Sequence, residues 1–175
     1  ITIVNSNTES KKISKIIEKT PNESQIENKI FYEWYIDNFH LKKNEHNQII
    51  DYLPQFLNLI CKLLTLRKTD FTIKVLCSLA LSYIVIEDDY YPDFRKDGYI
   101  DDMFVITYAL KQIKDKNPDL LIKNWVYDEK ILDLVEDIYM KIHTLVSDDM
   151  LSIIQVVGMD KYSLYNTEKI KKCLN

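Results

Sequence analysis

Only two glycines occur in 175 residues, Gly98 and Gly158, and they stand 60 positions apart. That is about 1% of the chain against a usual share of roughly 7%. A chain so poor in the residue that supplies left-handed turns has few sharp reversals. Its apolar residues recur at spacings of three and four, which predicts helices nearly throughout and an all-α bundle. The same scarcity excludes two nucleotide chemistries. A dinucleotide-binding turn needs three closely spaced glycines and a P-loop needs two beside a lysine.

The length is that of one domain over residues 1–175, able to bury roughly 70% of its unfolded surface in a single core. Cys61, Cys77 and Cys173 are odd in number and form no Cys-x-x-Cys pair. Cys61 and Cys77 lie in the apolar stretches LNLICKLL and KVLCSLAL, so they read as buried thiols in a reducing, cytoplasmic setting. The longest uncharged run, Val75 to Ile86, has twelve residues. Spanning a bilayer takes roughly 18, so no transmembrane helix is expected.

Along the chain, residues 1–8 read as disordered or extended, and a short helix over about 9–19 ends at Thr20-Pro21. Asn22 and Gln25 resemble a capping box for a helix over about 23–39, which a polar link at 42–45 follows. A third helix is expected over about 47–67, with Pro54 either kinking it or marking its start. Asp70 should cap a fourth running to about 88. Its Phe71, Val75, Leu76, Leu79, Ala80, Tyr83 and Ile84 cover so much of the wheel that it is expected to be the buried axis. A fifth helix spans about 100–115, and Asn117-Pro118 ends it or begins another. Asp128 should cap a sixth carrying Ile131, Leu134, Val135, Ile138, Ile142 and Leu145 inward. Ser147 opens a seventh that Gly158 halts, and 166–174 form a short basic terminal helix. The expected architecture is a single-domain bundle of about seven helices around a central hydrophobic helical hairpin.

No recognisable catalytic signature appears. His40, His46 and His143 show no metal-ligand spacing, and there is no Gly-x-Ser-x-Gly elbow. The stripe Lys12, Lys15, Lys19, the pair Lys42-Lys43 and the tail Lys169, Lys171, Lys172 are diluted by acids in a chain of net charge −4. They read as solvated faces and argue against nucleic acid as a partner.

The charge is concentrated in one place. Residues 87–102 carry seven acids and two bases, a local charge of −5, while the rest of the chain sums to +1. Pro92 disfavours helix at Tyr91, and Gly98 permits a left-handed residue, so the chain should turn here between its two most apolar helices. Asp101 and Asp102 then begin the next helix, where free N–H groups and the dipole favour carboxylates. One reading makes Asp89, Pro92, Asp93, Gly98, Asp101 and Asp102 a structural turn in which Asp89 or Asp93 accepts backbone N–H groups. A second seats a hard cation, Mg²⁺ or Ca²⁺, on Asp89, Asp93, Asp101 and Asp102, and a third makes a carboxylate pair the catalyst of a reaction that paired acids alone do not define. The EF-hand pattern does not fit, since Phe104 would stand where its glutamate belongs.

In these residues the chain resembles the YkvA family of small, uncharacterised, mainly bacterial proteins. The pattern is Asp89, Pro92, Asp93, Phe94, then Gly98, Tyr99, Ile100, Asp101, Asp102, with flanking likeness over about 74–113. Arg95 and Lys96 replace a hydrophobic residue and a second proline of the family turn. The resemblance implies a helical hairpin and no particular enzyme activity.

The sequence therefore leads to a non-enzymatic interaction module or accessory subunit with a protein partner. A cation-binding protein, or a metal-dependent hydrolase using the acidic turn, is the alternative. Peripheral membrane contact is a third, and the charged turn speaks against it.

Overall fold

Pro54 stands in the first turn of a helix, where its missing N–H is no loss. In the computed structural model, which describes residues 33, 47–86, 89–91 and 98–165, the expected helix over 47–67 is two. These are α1 (Asn47–Ile50) and α2 (Leu53–Thr65). The inner face of α2 is Leu53, Phe56, Leu57, Ile60 and Leu63, steps of three, one, three and three that keep one side apolar. Leu64 is half-buried. The chain divides into two compact units, Ile1–His40 and Leu41–Asn175, and every described residue except Glu33 belongs to the second. Expectations for 1–8, 9–19, 42–45 and 166–174, and all of 23–39 but Glu33, lie outside the described residues.

Asp70 caps α3 (Phe71–Ile84) as its sequence position predicts, accepting the Thr72 N–H at 2.8 Å. The helix phase then turns Ile73, Leu76, Cys77, Ala80 and Tyr83 inward. Phe71, expected among them, is 80% exposed. It precedes Ile73 by two residues, and residues two apart point about 200° away from each other on a helix. The helix closes at Ile84 rather than near 88, with Val85 as its C-cap.

The buried axis is not α3 but α4 (Ile100–Lys116), in which every residue from Ile100 to Leu110 is buried. It packs against α2 and α3, and against α5 (Pro118–Asn124), α6 (Ile131–Val146) and α7 (Met150–Val157). Neighbours on all sides leave Ile100–Leu110 no solvent face. Its polar residues disguise this in the sequence. Thr107 Oγ1 donates to the Met103 carbonyl at 2.6 Å, and Gln112 Oε1 accepts from Ser163 Oγ at 2.7 Å and the Leu164 N–H at 2.8 Å. Phe104, Tyr108 and Tyr139 stack with ring centroids 5.9 to 6.4 Å apart, joining α4 to α6.

Asn117-Pro118 begins a helix, with the Asn117 side chain accepting the Leu120 N–H. Asp128 does not cap α6, whose N-cap is Lys130. The Trp125 indole N–H donates to the Glu129 carbonyl at 2.8 Å, which holds 125–129 as a loop and delays the helix to Ile131. Leu134 is half-buried and Leu145 is 37% exposed, while Tyr139 and Val146 take inward places. Ser147–Asp149 form a 3₁₀ turn rather than the start of an α-helix, and Gly158 ends α7 in the left-handed conformation at φ 82°. Among the described residues there is no strand, and no helix is long and apolar enough to cross a membrane.

Candidate metal centre

Two helix ends and the segment between them build the site. The last turn of α3 supplies Tyr83, and the first turn of α4 supplies Asp101 and Asp102, both buried. Tyr99 caps α4 in the left-handed conformation, φ 70° and ψ −2°, so the chain reverses directly into the helix. Carboxylates here meet the favourable end of the helix dipole, although burial removes the water that would otherwise solvate them.

Asp101 is the hub. Its Oδ2 accepts the Tyr83 hydroxyl at 2.6 Å and the Tyr91 N–H at 2.9 Å. The Tyr83 oxygen in turn accepts the Tyr90 N–H at 3.3 Å. Burial raises the Asp101 carboxyl above its ordinary range, and the Tyr83 hydroxyl and Tyr91 N–H pull it back only in part. The N–H dipoles of Asp101 and Asp102 also favour its ionised form. The other oxygen, Oδ1, is buried and meets no group in hydrogen-bond geometry. Burial and the neighbouring Asp101 also push the Tyr83 hydroxyl far up, so it remains a donor.

A second carboxylate holds the intervening segment from outside. The hydroxyls of Tyr90 and Tyr91 both donate to Asp149, Tyr90 to Oδ1 at 2.9 Å and Tyr91 to Oδ2. The two rings meet edge to face with centroids 5.4 Å apart. These bonds, that from Tyr91 first, draw the Asp149 carboxyl below its ordinary range.

Asp89, Asp101 and Asp102 each bring one carboxylate oxygen into a group in which all three lie within 4.8 Å of one another. Oxygens bound to one hard cation at about 2.3–2.6 Å stand at most about 5 Å apart, so this span fits. Oxygen-only donors select Mg²⁺, Ca²⁺ or Mn²⁺ over softer metals. The fully buried Asp101 Oδ1 is the atom a cation would satisfy.

Of the residues singled out in the sequence, Asp89, Asp101 and Asp102 come together. Gly98 is buried just before α4, while Pro92 and Asp93 lie outside the described residues. The captured backbone N–H is that of Tyr91, and its acceptor is Asp101 on the following helix. Tyr83, Tyr90, Tyr91 and Asp149 are the participants that sequence reasoning missed. Tyr83, a phenol in an otherwise apolar run, carried a faint signal, because a buried hydroxyl needs a partner. Asp149 carried none, being 58 residues from Tyr91.

No family model matches the chain, and no solved structure matches it. It is similar to "Uncharacterized protein ORF9" of Methanothermobacter thermautotrophicus, at 25% identity over 121 residues. The alignment covers 67% of this chain and 83% of that protein. That organism is an archaeon, whereas the resemblance to YkvA pointed to a mainly bacterial group.

Proposed function

We propose that this protein is a non-enzymatic, cation-clamped helical module. A hard divalent cation on Asp89, Asp101 and Asp102 fastens the turn between α3 and α4. In this reading those two helices are the central apolar hairpin of a bundle of about seven helices. The observation that carries it is the approach of three carboxylate oxygens within 4.8 Å around a buried Asp101 whose Oδ1 accepts no hydrogen bond. The other contacts of Asp101 are a tyrosine hydroxyl and backbone N–H groups, which orient a ligand rather than activate a nucleophile. Thermal melts test the reading. Mg²⁺, Ca²⁺ or Mn²⁺ should raise Tm relative to EDTA in wild type and leave Asp101→Asn unmoved, and a wild type indifferent to all three ions would overturn it.

A role as an accessory subunit with a protein partner is the second reading. It is supported by exposed apolar side chains, Leu151 and Val156 on α7 and Ile122 and Val126 at and beyond the end of α5. Sedimentation velocity of the pure protein beside native lysate fractions tests it, and a monomer in both would count against it.

A further inference from the structure

Tyr91 is held at both ends. Its backbone N–H is bound by Asp101 at the start of α4, and its hydroxyl is bound by Asp149 in the 3₁₀ turn between α6 and α7. Tyr90 repeats the arrangement, its N–H on the Tyr83 hydroxyl and its own hydroxyl on Asp149. Asp89 is the next residue toward the N-terminus. Of the three carboxylates it alone stands outside a helix, since Asp101 and Asp102 are fixed by the first turn of α4. Two phenol rings anchored on one carboxylate leave the backbone of 90–91 little freedom, and that backbone determines where Asp89 sits.

We infer that Asp149 is a positioning residue of the cation site: through Tyr90 and Tyr91 it delivers Asp89 to Asp101 and Asp102, without itself being a ligand. This rests on the cation reading above. It also extends the site to the corner between α6 and α7, so that corner and ion influence each other reciprocally. Groups that orient metal ligands change affinity by about 10–100-fold when removed. The expected loss for Asp149→Ala is therefore at least about tenfold in Mn²⁺ affinity, with all three ligands intact.

The test is a Mn²⁺ titration followed by electron paramagnetic resonance, well below Tm, on full-length wild type, Asp149→Ala, Asp149→Asn and Tyr90→Phe/Tyr91→Phe. Amide hydrogen exchange at residues 89–91 is measured in parallel. Asp149→Ala and the double Phe variant should bind Mn²⁺ at least about tenfold more weakly and exchange faster at 89–91, and Asp149→Asn, which keeps one acceptor oxygen, should lie between. A purely structural role would lower Tm and leave both readouts at folded temperatures unchanged. Should Asp149→Ala be too unstable to fold, the double Phe variant, which keeps both rings, decides. Wild-type affinity in the variants overturns the positioning role and leaves the cation reading standing. Absence of Mn²⁺ binding in wild type overturns both.

Discussion

The Tyr83 hydroxyl donates to Asp101 Oδ2 across 2.6 Å, joining the last turn of α3 to the first turn of α4. Both residues are buried, and the same carboxylate oxygen also receives the Tyr91 N–H. One acceptor thus gathers two helices and the segment between them. Its second oxygen is buried and accepts no hydrogen bond.

Tyr83→Phe removes the donor while keeping the ring. Where Asp101 is ionised, a hydrogen bond to its charged carboxylate contributes about 1.5–3 kcal/mol, and urea denaturation there should show a loss of that size with m unchanged. A variant that unfolds at the wild-type midpoint would show that the bond contributes nothing to the fold.

The raised Asp101 carboxyl gives a pH dependence of defined sign. Between the ordinary aspartate value, about 4, and its own higher value, the folded protein keeps a proton that the unfolded chain has released. In EDTA its contribution is full below about pH 4 and is lost as pH rises through the raised value. Asp149, drawn down by Tyr91 and Tyr90, acts oppositely, and its contribution is lost only as pH falls below the ordinary range. Urea midpoints in EDTA, compared between wild type and Asp101→Asn, should show the high-pH decline in wild type alone. Saturating Mg²⁺ should abolish it, since the ion binds the ionised form. A wild-type midpoint rising across that window in EDTA would contradict the assignment.

Gly158 ends α7 at φ 82° with nothing within 4 Å of the position a Cβ would occupy. Gly158→Ala therefore meets no steric clash, only the left-handed backbone penalty of about 1–2 kcal/mol. Guanidinium denaturation should report a loss in that range, and an unchanged midpoint would show that the cap tolerates a side chain.

Burial pushes the Cys61 thiol up to about 12 and Cys77 higher still. Thiolate is the reactive form, so both should resist Ellman's reagent at pH 8 until the protein unfolds. Rapid native modification of either, located by mass spectrometry, would contradict the packing of α2 against α3.

The sequence was most legible where a cap or a glycine punctuates a helix. Asp70, Asn117-Pro118 and Gly158 stand where their patterns predict. It misled at Asp128, because the Trp125 bond to the Glu129 carbonyl, a tertiary choice invisible to capping rules, moves the helix start to Ile131. It also placed the buried axis one helix too early. Asp101, Asp102, Thr107 and Gln112 make α4 look less apolar than α3, yet all four are buried. For the site, local spacing picked out Asp89, Asp101 and Asp102 because they flank one turn. Asp149 reaches it only through the folding of α6 back along α4, a contact no sequence window contains.

Anomalous diffraction from crystals grown with Mn²⁺ tests the central claim most directly. The account predicts one strong peak among the carboxylate oxygens of Asp89, Asp101 and Asp102 in wild type and none there in Asp101→Asn. A wild-type map with no peak at that position, and the three carboxylates meeting only protein N–H and O–H groups, would contradict it.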